Sequence, residues 1–202
     1  MQGREPCVSV VDDDDLVLRS LERVLKSSGF AVRTFPSSRD FLAQRPTGPG
    51  CVVLDMAMPG LSGLELQKAL SDSVDPCPVI FLSGESDIPT SVEAMKGGAI
   101  DFLTKPVERE KLLESVRAAL ARDFTARAAR ERRDSLTSRL ATLTAREREV
   151  LDLVVIGMLN KQIAAQLGTA EKTIKVHRAR AMRKMGAESL AGLVRLVGQQ
   201  PL

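Results

Sequence analysis

The chain has 202 residues, of which 44% are hydrophobic and 27% are charged, a composition typical of globular domains and unlike that of disordered or collagen-like chains. No run approaches the roughly 18 apolar residues of a membrane helix, and the first residues, MQGREPC, lack the apolar core of a signal peptide. We therefore expect a cytoplasmic protein with no membrane partner. Cys7, Cys51 and Cys77 are far apart and His177 is the single histidine, which predicts neither a disulfide framework nor a zinc site.

Charge is distributed unevenly along the chain. Residues 1–121 carry a net charge of −5, residues 122–142 of +3 and residues 143–202 of +5. A basic carboxyl-terminal segment favours a polyanionic partner such as nucleic acid, with a solvated basic face as the alternative. Because the sequence has no Trp or Tyr and six Phe, single-stranded nucleic acid would find few rings on which to stack.

The first 121 residues alternate short β-branched runs with helical patterns. The predicted strands are 7–11, 31–35, 51–55, 78–82 and 100–103. The predicted helices are 15–27, 38–43, 63–71, 88–96 and 108–121. This alternation predicts an α/β fold, a doubly wound five-stranded parallel sheet of the flavodoxin-like order 2-1-3-4-5.

The segment 122–142 has no sequence pattern typical of a strand and is predicted to be a helical linker. Leu136, Leu140 and Leu143 recur at helical spacing. Two interpretations of the segment stay open, a solvated face and a short dimerising stripe.

The remainder, 143–202, is predicted to be an all-α four-helix domain. It begins with a capping box in which Thr144 and Glu147 satisfy each other's backbone donors. The predicted helices are 145–156, 160–167, 171–185 and 189–198. The second and third, separated by a turn with Gly168, have the arrangement of a helix-turn-helix.

Polar residues follow several strands of the predicted sheet. Strand one is followed by Asp12 to Asp15, strand three ends at Asp55, strand four is followed by Ser83, and strand five by Lys105 and Pro106. The carboxyl ends of strands in such a sheet share one rim. Clustered carboxylates favour Mg²⁺, and an Asp among them can act as a nucleophile. The plainer alternative is a helix N-cap and an ordinary loop.

The first 121 residues resemble the receiver domains of bacterial two-component response regulators. The resemblance lies in VVDDD at 10–14, VVLDMAMPGLSG at 52–63, LSG at 82–84 and AIDFLTKP at 99–106. It implies that Asp55 accepts a phosphoryl group from a sensor histidine kinase. It also implies that Asp13, Asp55 and the backbone carbonyl of Ala57 bind Mg²⁺, with Asp12 acting through water.

The same resemblance implies roles for the residues that follow strands four and five, and for one residue within strand five. Ser83 and Lys105 would contact the phosphoryl oxygens, and the peptide bond before Pro106 would be cis. Phe102 occupies the position of an aromatic switch residue, where the alternative is a core Phe. Family members often have Tyr there, so a switch at Phe102 would act through packing alone.

An enzyme that turns over an external substrate is disfavoured. Phosphatases of the haloacid dehalogenase type need a second Asp two residues after the nucleophile, and Ala57 stands there. The sequence also lacks the G-x-S-x-G motif of a Ser-His-Asp hydrolase. We expect no enzymatic activity on an external substrate. The only catalysis that we expect is that of the protein's own phosphorylation and dephosphorylation.

The basic domain resembles the LuxR-type DNA-binding domain. The motifs are LTAREREVL at 143–151, NKQIA at 160–164, LGTAEKTIKVHR at 167–178 and KM at 184–185. The resemblance implies that Lys161 and Thr173 contact phosphates and that Lys175 and Val176 face base edges. The remaining candidates for this surface are His177, Arg178, Ala179 and Arg180.

Alternatives stay open for these last four candidates and for the domain as a whole. Ala179 stands where some relatives have a basic residue, so Arg178 or Arg180 would replace that contact. For His177, phosphate contact and helix packing both stay open. On charge pattern alone, the domain could also be a bundle that docks a protein partner.

A receiver joined to a LuxR-type domain is the architecture of the NarL/FixJ family, and GESDIPTSVEAMKGGA at 84–99 is similar to FixJ-like members. The expected domains are a receiver at 6–121, a linker at 122–142 and a DNA-binding domain at 143–202. The expected function is a transcriptional regulator that forms a DNA-binding dimer on double-stranded DNA when Asp55 is phosphorylated, with RNA polymerase as a further candidate partner. A relay whose helical tail binds protein and not DNA is the alternative. Control by masking the DNA-binding domain and control by preventing dimerisation both stay open.

Overall fold

The computed structural model describes residues 5–84 and 88–197. They divide into two compact units, one ending at Arg127 and the next beginning at Ala128. The strands are β1 Cys7–Val11, β2 Ala31–Phe35, β3 Gly50–Asp55, β4 Val79–Ser83 and β5 Asp101–Thr104. They form one parallel sheet in the order β2-β1-β3-β4-β5, which confirms the predicted fold class.

Five helices begin in the first unit: α1 Asp15–Ser27, α2 Ser38–Gln44, α3 Gly63–Ser71, α4 Ile88–Lys96 and α5 Arg109–Ala141. Helices α1 and α5 pack on one face of the sheet, through residues such as Leu21 and Leu112. Helices α2, α3 and α4 pack on the other, through residues such as Phe41 and Leu66. Since the central strand β3 is covered on both faces and wholly buried, its sequence is a continuous apolar run up to Asp55.

Helix α5 differs from the prediction. The sequence pattern predicted a helix ending at residue 121 and a separate helical linker, whereas one helix runs unbroken from Arg109 to Ala141. No Gly or Pro lies within it, so nothing in its sequence forces a break.

Other differences are confined to element ends. Strands β4 and β5 each begin one residue later than predicted. Pro78 has no N–H to donate and contributes only its carbonyl, which accepts from Val52 at 2.9 Å. The predicted end of the last helix at residue 198 lies outside the described residues.

The second unit contains α6 Ala145–Val155, α7 Asn160–Gln166, α8 Glu171–Met185 and α9 Leu190–Val197. Its core joins residues of all four helices, among them Val150, Ile163, Ile174 and Leu193. Gly168, between α7 and α8, has φ +61°, which a residue without Cβ adopts most readily. No helix in the described ranges is long and apolar enough to cross a membrane.

Candidate functional site

The rim at the carboxyl ends of the strands brings Asp12, Asp55 and Lys105 together. Asp55 is the last residue of β3, Asp12 follows β1 directly and Lys105 follows β5 directly. The Lys105 Nζ lies 2.6 Å from Asp12 Oδ2 and 2.6 Å from Asp55 Oδ1. Strands separated by up to 93 residues of sequence therefore place one ammonium between two carboxylates.

The remaining carboxylate oxygens at this rim bind backbone donors. Asp12 Oδ1 accepts the N–H of Asp14 at 2.9 Å, and Asp55 Oδ2 accepts the N–H of Ala57 at 2.8 Å. Both aspartates are buried. An ion pair and a backbone donor together hold each carboxylate in place.

Burial and pairing act in opposite directions on the titration of this site. Burial raises the pKa of Asp55 above its ordinary value, although Lys105 acts to lower it. Burial acts to lower the pKa of Lys105, but the hydrogen bonds to Asp12 and Asp55 outweigh it and the pKa is raised. The ammonium therefore stays charged beside the two carboxylates at neutral pH.

The run of four aspartates divides into separate roles. Asp12 is buried in the site and Asp13 is exposed. Asp14 is the N-cap of α1, where its Oδ1 accepts the N–H of Leu16 at 2.7 Å. Asp15 is exposed and pairs with Arg19 on the helix surface. The N-cap alternative therefore applies to Asp14 and not to Asp12.

Ser83 and Phe102 lie beside this cluster. Ser83 is the buried last residue of β4, next to Thr104 of β5, and its carbonyl accepts the N–H of Lys105 at 2.7 Å. Phe102 is half-buried on β5, with its ring centroid 6.4 Å from that of Phe81. The peptide bond between Lys105 and Pro106 is cis.

The predicted Mg²⁺ ligands are only partly gathered. Among the described residues, no three Asp, Glu, His or Cys side chains are placed to surround a metal ion. Lys105 lies between Asp12 and Asp55, and Asp13 is exposed. The donor chemistry still fits Mg²⁺, because the two buried carboxylates carry more charge than one ammonium neutralises.

The outward face of α8 forms a second candidate site. The buried residues of this helix are Ile174, Ala181 and Met185, so the opposite face points to solvent. The predicted contacts Thr173, Lys175, Val176, Ala179 and Arg180 are all exposed there. Lys161 is exposed as the second residue of α7.

Two further cations belong to this outward face. Lys172 and Arg183 are exposed, and with Val176 and Ala179 they recur at intervals of three and four residues. This helical period can be read in the sequence, and it indicates that both cations lie on the same face as Val176 and Ala179. Lys175 pairs with Glu171 at 3.1 Å on the helix surface.

His177 and Arg178 differ from the other predicted contacts. Both are half-buried. The His177 Nδ1 is buried and has no hydrogen-bond partner in the described residues. Arg178 Nη1 donates to Asn160 Oδ1 at 3.0 Å, so part of its guanidinium faces α7.

Two family models match the chain. The response regulator receiver domain matches residues 8–117, and the luxR family of bacterial regulatory proteins matches residues 141–197. The chain belongs to the response regulators that carry a luxR-family domain. The predicted family is thus confirmed, and the relay alternative is not favoured.

Several proteins are similar to this response regulator over nearly all of its length. Nodulation protein W of Bradyrhizobium diazoefficiens is 46% identical, over 94% of this chain and 84% of that protein. Transcriptional regulatory protein FixJ of Azorhizobium caulinodans is 45% identical, over 94% and 90%. Response regulator protein TodT of Pseudomonas putida is 41% identical, over 97% and 87%.

Solved structures extend the likeness. The low-resolution structure of response regulator StyR has a TM-score of 0.89 and 47% identity, covering 97% of this chain and 100% of that one. Full-length FixJ from B. japonicum has a TM-score of 0.59 and 38% identity, covering 99% and 100%. Family and architecture together make this response regulator a phosphorylation-dependent transcription regulator, in a family that is generally not enzymatic.

Proposed function

We propose that a sensor histidine kinase phosphorylates Asp55, and that this modification controls DNA binding by the second unit. The observation that carries the proposal is the pair of 2.6 Å contacts from Lys105 Nζ to Asp12 and Asp55. A fixed cation beside a strand-end carboxylate offsets the charge that a phosphoryl group brings to it.

Asp55 is the better nucleophile of the two buried aspartates. Its side chain is 6% exposed, whereas that of Asp12 is 0% exposed. A phosphodonor must reach the attacking oxygen, which favours Asp55. In this proposal a carboxylate oxygen of Asp55 attacks phosphorus, and the donor histidine leaves.

The neighbouring groups stabilise the phosphorylated state. The N–H of Ala57 already faces Asp55, and Ser83 ends the adjacent strand. Asp12, Asp13, Asp55 and the carbonyl of Ala57 would hold Mg²⁺, which supplies charge neutralisation when bound. Lys105 holds the carboxylates in place and would then contact a phosphoryl oxygen.

Asp55→Asn tests the phosphoacceptor assignment. Incubation of the full chain with acetyl phosphate and Mg²⁺ should add one acid-labile phosphoryl group to the wild type, detected by intact mass, and none to Asp55→Asn. Asp15→Asn, which changes an exposed aspartate nearby, should behave as the wild type. Phosphorylation that persists in Asp55→Asn would overturn the assignment.

The output proposed for the second unit is recognition of double-stranded DNA by α8. Lys175→Ala should weaken binding to a selected duplex by about 1–3 kcal/mol, as expected for a base contact. Arg148→Ala removes a partly exposed cation on α6, whose side chain is 42% exposed and lies 3.1 Å from Asp152, and serves as the control with little expected effect. Unchanged affinity in Lys175→Ala would assign base recognition to other residues of the exposed face.

Phosphorylation is proposed to act through a homodimer, which would recognise two half-sites. Here residues 6–121 act as receiver, 122–142 as linker and 143–202 as DNA-binding domain, with RNA polymerase as a further partner. Molecular mass and duplex affinity should both rise with acetyl phosphate and neither should rise in Asp55→Asn. A rise in affinity without a rise in mass would favour unmasking over dimerisation.

A further inference from the structure

Arg178 lies on the inward side of the helix proposed to read DNA. The buried residues Ile174, Ala181 and Met185 form one stripe along α8, and Arg178 falls in it, four residues after Ile174. Its side chain is half-buried, unlike the exposed Arg180 on the same helix. A guanidinium in an apolar stripe is costly to desolvate unless it finds a hydrogen-bond partner.

Asn160 provides that partner. Arg178 Nη1 donates to Asn160 Oδ1 at 3.0 Å, across 18 residues of sequence. Asn160 is the first residue of α7, so this bond joins the two helices of the helix-turn-helix. No carboxylate forms an ion pair with Arg178 in the part of the chain that the structure describes.

The start of α7 has few other directional contacts. Helix α7 is seven residues long, and its buried residues are Ile163 and Ala164. Leu159, which precedes it, has no side-chain oxygen to cap the helix. At the other end of α7, Arg146 Nη2 donates to the carbonyl of Leu167 at 2.7 Å. At its start, the bond from Arg178 is charge-assisted and therefore directional, which apolar packing is not.

We propose that Arg178 is a positioning residue for DNA binding. Its bond to Asn160 fixes the start of α7 against α8, and so fixes Lys161, the next residue, relative to Lys175 on the exposed face of α8. This role rests on the proposed DNA-binding function and replaces the direct DNA contact predicted for Arg178. Contacts to phosphates set the orientation in which side chains reach base edges, so the bond matters for affinity.

A double-mutant cycle in the full chain tests this role. The variants are Asn160→Ala, Arg178→Met and the two together. Arg180→Met, alone and combined with Asn160→Ala, is the matched control for loss of a cation. The probe is a labelled duplex that the acetyl phosphate-treated wild type selects from a random-sequence pool. Affinity is measured at several salt concentrations, well below the unfolding temperature of every variant.

Each single variant should weaken binding about tenfold, and the double variant should bind no more weakly than either. Asn160→Ala and Arg178→Met should keep the wild-type slope of log affinity against log salt. Arg180→Met should make that slope less steep by about 0.9, the value for one lost phosphate contact. The factors by which Arg180→Met and Asn160→Ala weaken binding should multiply in the variant that combines them. A side chain that only stabilised the fold would leave the affinity of the folded protein unchanged.

Amide hydrogen exchange in the free protein tests, in the absence of DNA, whether the bond from Arg178 to Asn160 stabilises the start of α7. Both single variants should raise exchange in residues 160–166 to the same extent, and the double variant no further. Unchanged exchange would overturn the proposal, and so would raised exchange with unchanged duplex affinity. A lowered salt slope in Arg178→Met with no effect of Asn160→Ala would make Arg178 a direct phosphate contact. A wild type that binds no duplex would overturn the DNA-binding function itself, and the positioning role with it.

Discussion

The carboxylate of Asp123 accepts the backbone N–H of Gly50 at 2.9 Å, across 73 residues of the chain. Gly50 begins β3, the strand that ends at Asp55. The same oxygen of Asp123 accepts from Arg127 Nε at 2.7 Å, and Arg127 Nη2 lies 2.8 Å from Asp75 Oδ1. Residues in the segment predicted as linker therefore bind the first unit at the amino-terminal end of its sheet.

Asp123→Ala should destabilise the first unit by about 2–3 kcal/mol, because Asp123 is 1% exposed and its loss leaves the N–H of Gly50 without an acceptor. Urea unfolding followed by circular dichroism measures this, since the chain has no Trp or Tyr to report by fluorescence. Asp134→Ala, an exposed acid on the same helix, should be nearly neutral. Equal stability of the two variants would show that the buried carboxylate contributes nothing to the unit.

Lys105→Met should lower the free energy of unfolding of the first unit by about 1–3 kcal/mol, because it leaves the Asp12 and Asp55 carboxylates buried without their cation. Mg²⁺ should restore more stability to the variant than it adds to the wild type, since the ammonium no longer occupies the space between the carboxylates. Urea titrations with and without MgCl₂ compare the two. Lys68→Met, an exposed control on α3, should match the wild type, and an equal response to Mg²⁺ in all three would contradict the expectation.

Local patterns in the sequence were sufficient to predict the sheet and most helices. The apolar runs of β1 and β3 and the helical periodicity of α1 and α3 identify these elements, because each buries a regular face. The order of the strands then predicts which residues meet at the rim. The position of Lys105 between Asp12 and Asp55 followed from no local pattern, since it depends on side-chain geometry across separate strands.

Two other features show what periodicity leaves open. The bond from Asp123 to Gly50 joins residues with no shared local motif, so the length of α5 associated with the first unit could not be predicted. For Arg178, by contrast, the sequence did indicate that the side chain is half-buried. Its place four residues after Ile174 indicated a half-buried arginine, whereas the family resemblance predicted a contact with DNA.

The stability of the second unit should depend on pH through Glu147. Its carboxylate is buried and accepts from Lys184 Nζ at 2.6 Å. That hydrogen bond, followed by the one from the backbone N–H of Thr144, lowers the pKa of Glu147 from 4.5 to about 2. Because the unfolded state binds the proton more tightly, the stabilisation is complete above the unfolded pKa and is lost as the pH falls toward about 2.

Glu147→Gln should remove this dependence. Hydrogen exchange in α6 and α8, measured between neutral and acid pH, should show a smaller loss of protection in Glu147→Gln than in the wild type. Glu149→Gln, which changes an exposed carboxylate two residues later, should keep the wild-type profile. A profile in Glu147→Gln that parallels the wild type would assign acid sensitivity to another group.

The stripe of Leu136, Leu140 and Leu143 is already covered within the second unit. Leu136 is 8% exposed and belongs to the same core cluster as Val150 and Ile163, and the other two leucines pack against that cluster. Periodicity alone predicts an apolar face without saying what covers it, and so left a dimerising stripe open.

Leu136→Ala should therefore destabilise the second unit by about 2–3 kcal/mol through the cavity it leaves, with no change in the monomer–dimer equilibrium of the phosphorylated protein. Urea unfolding and sedimentation equilibrium measure the two effects separately. Ser138→Ala, an exposed neighbour on α5, should change neither. A weaker dimer with unchanged stability in Leu136→Ala would place this leucine at an interface between copies. Leu136 would then have to leave its core cluster when the dimer forms.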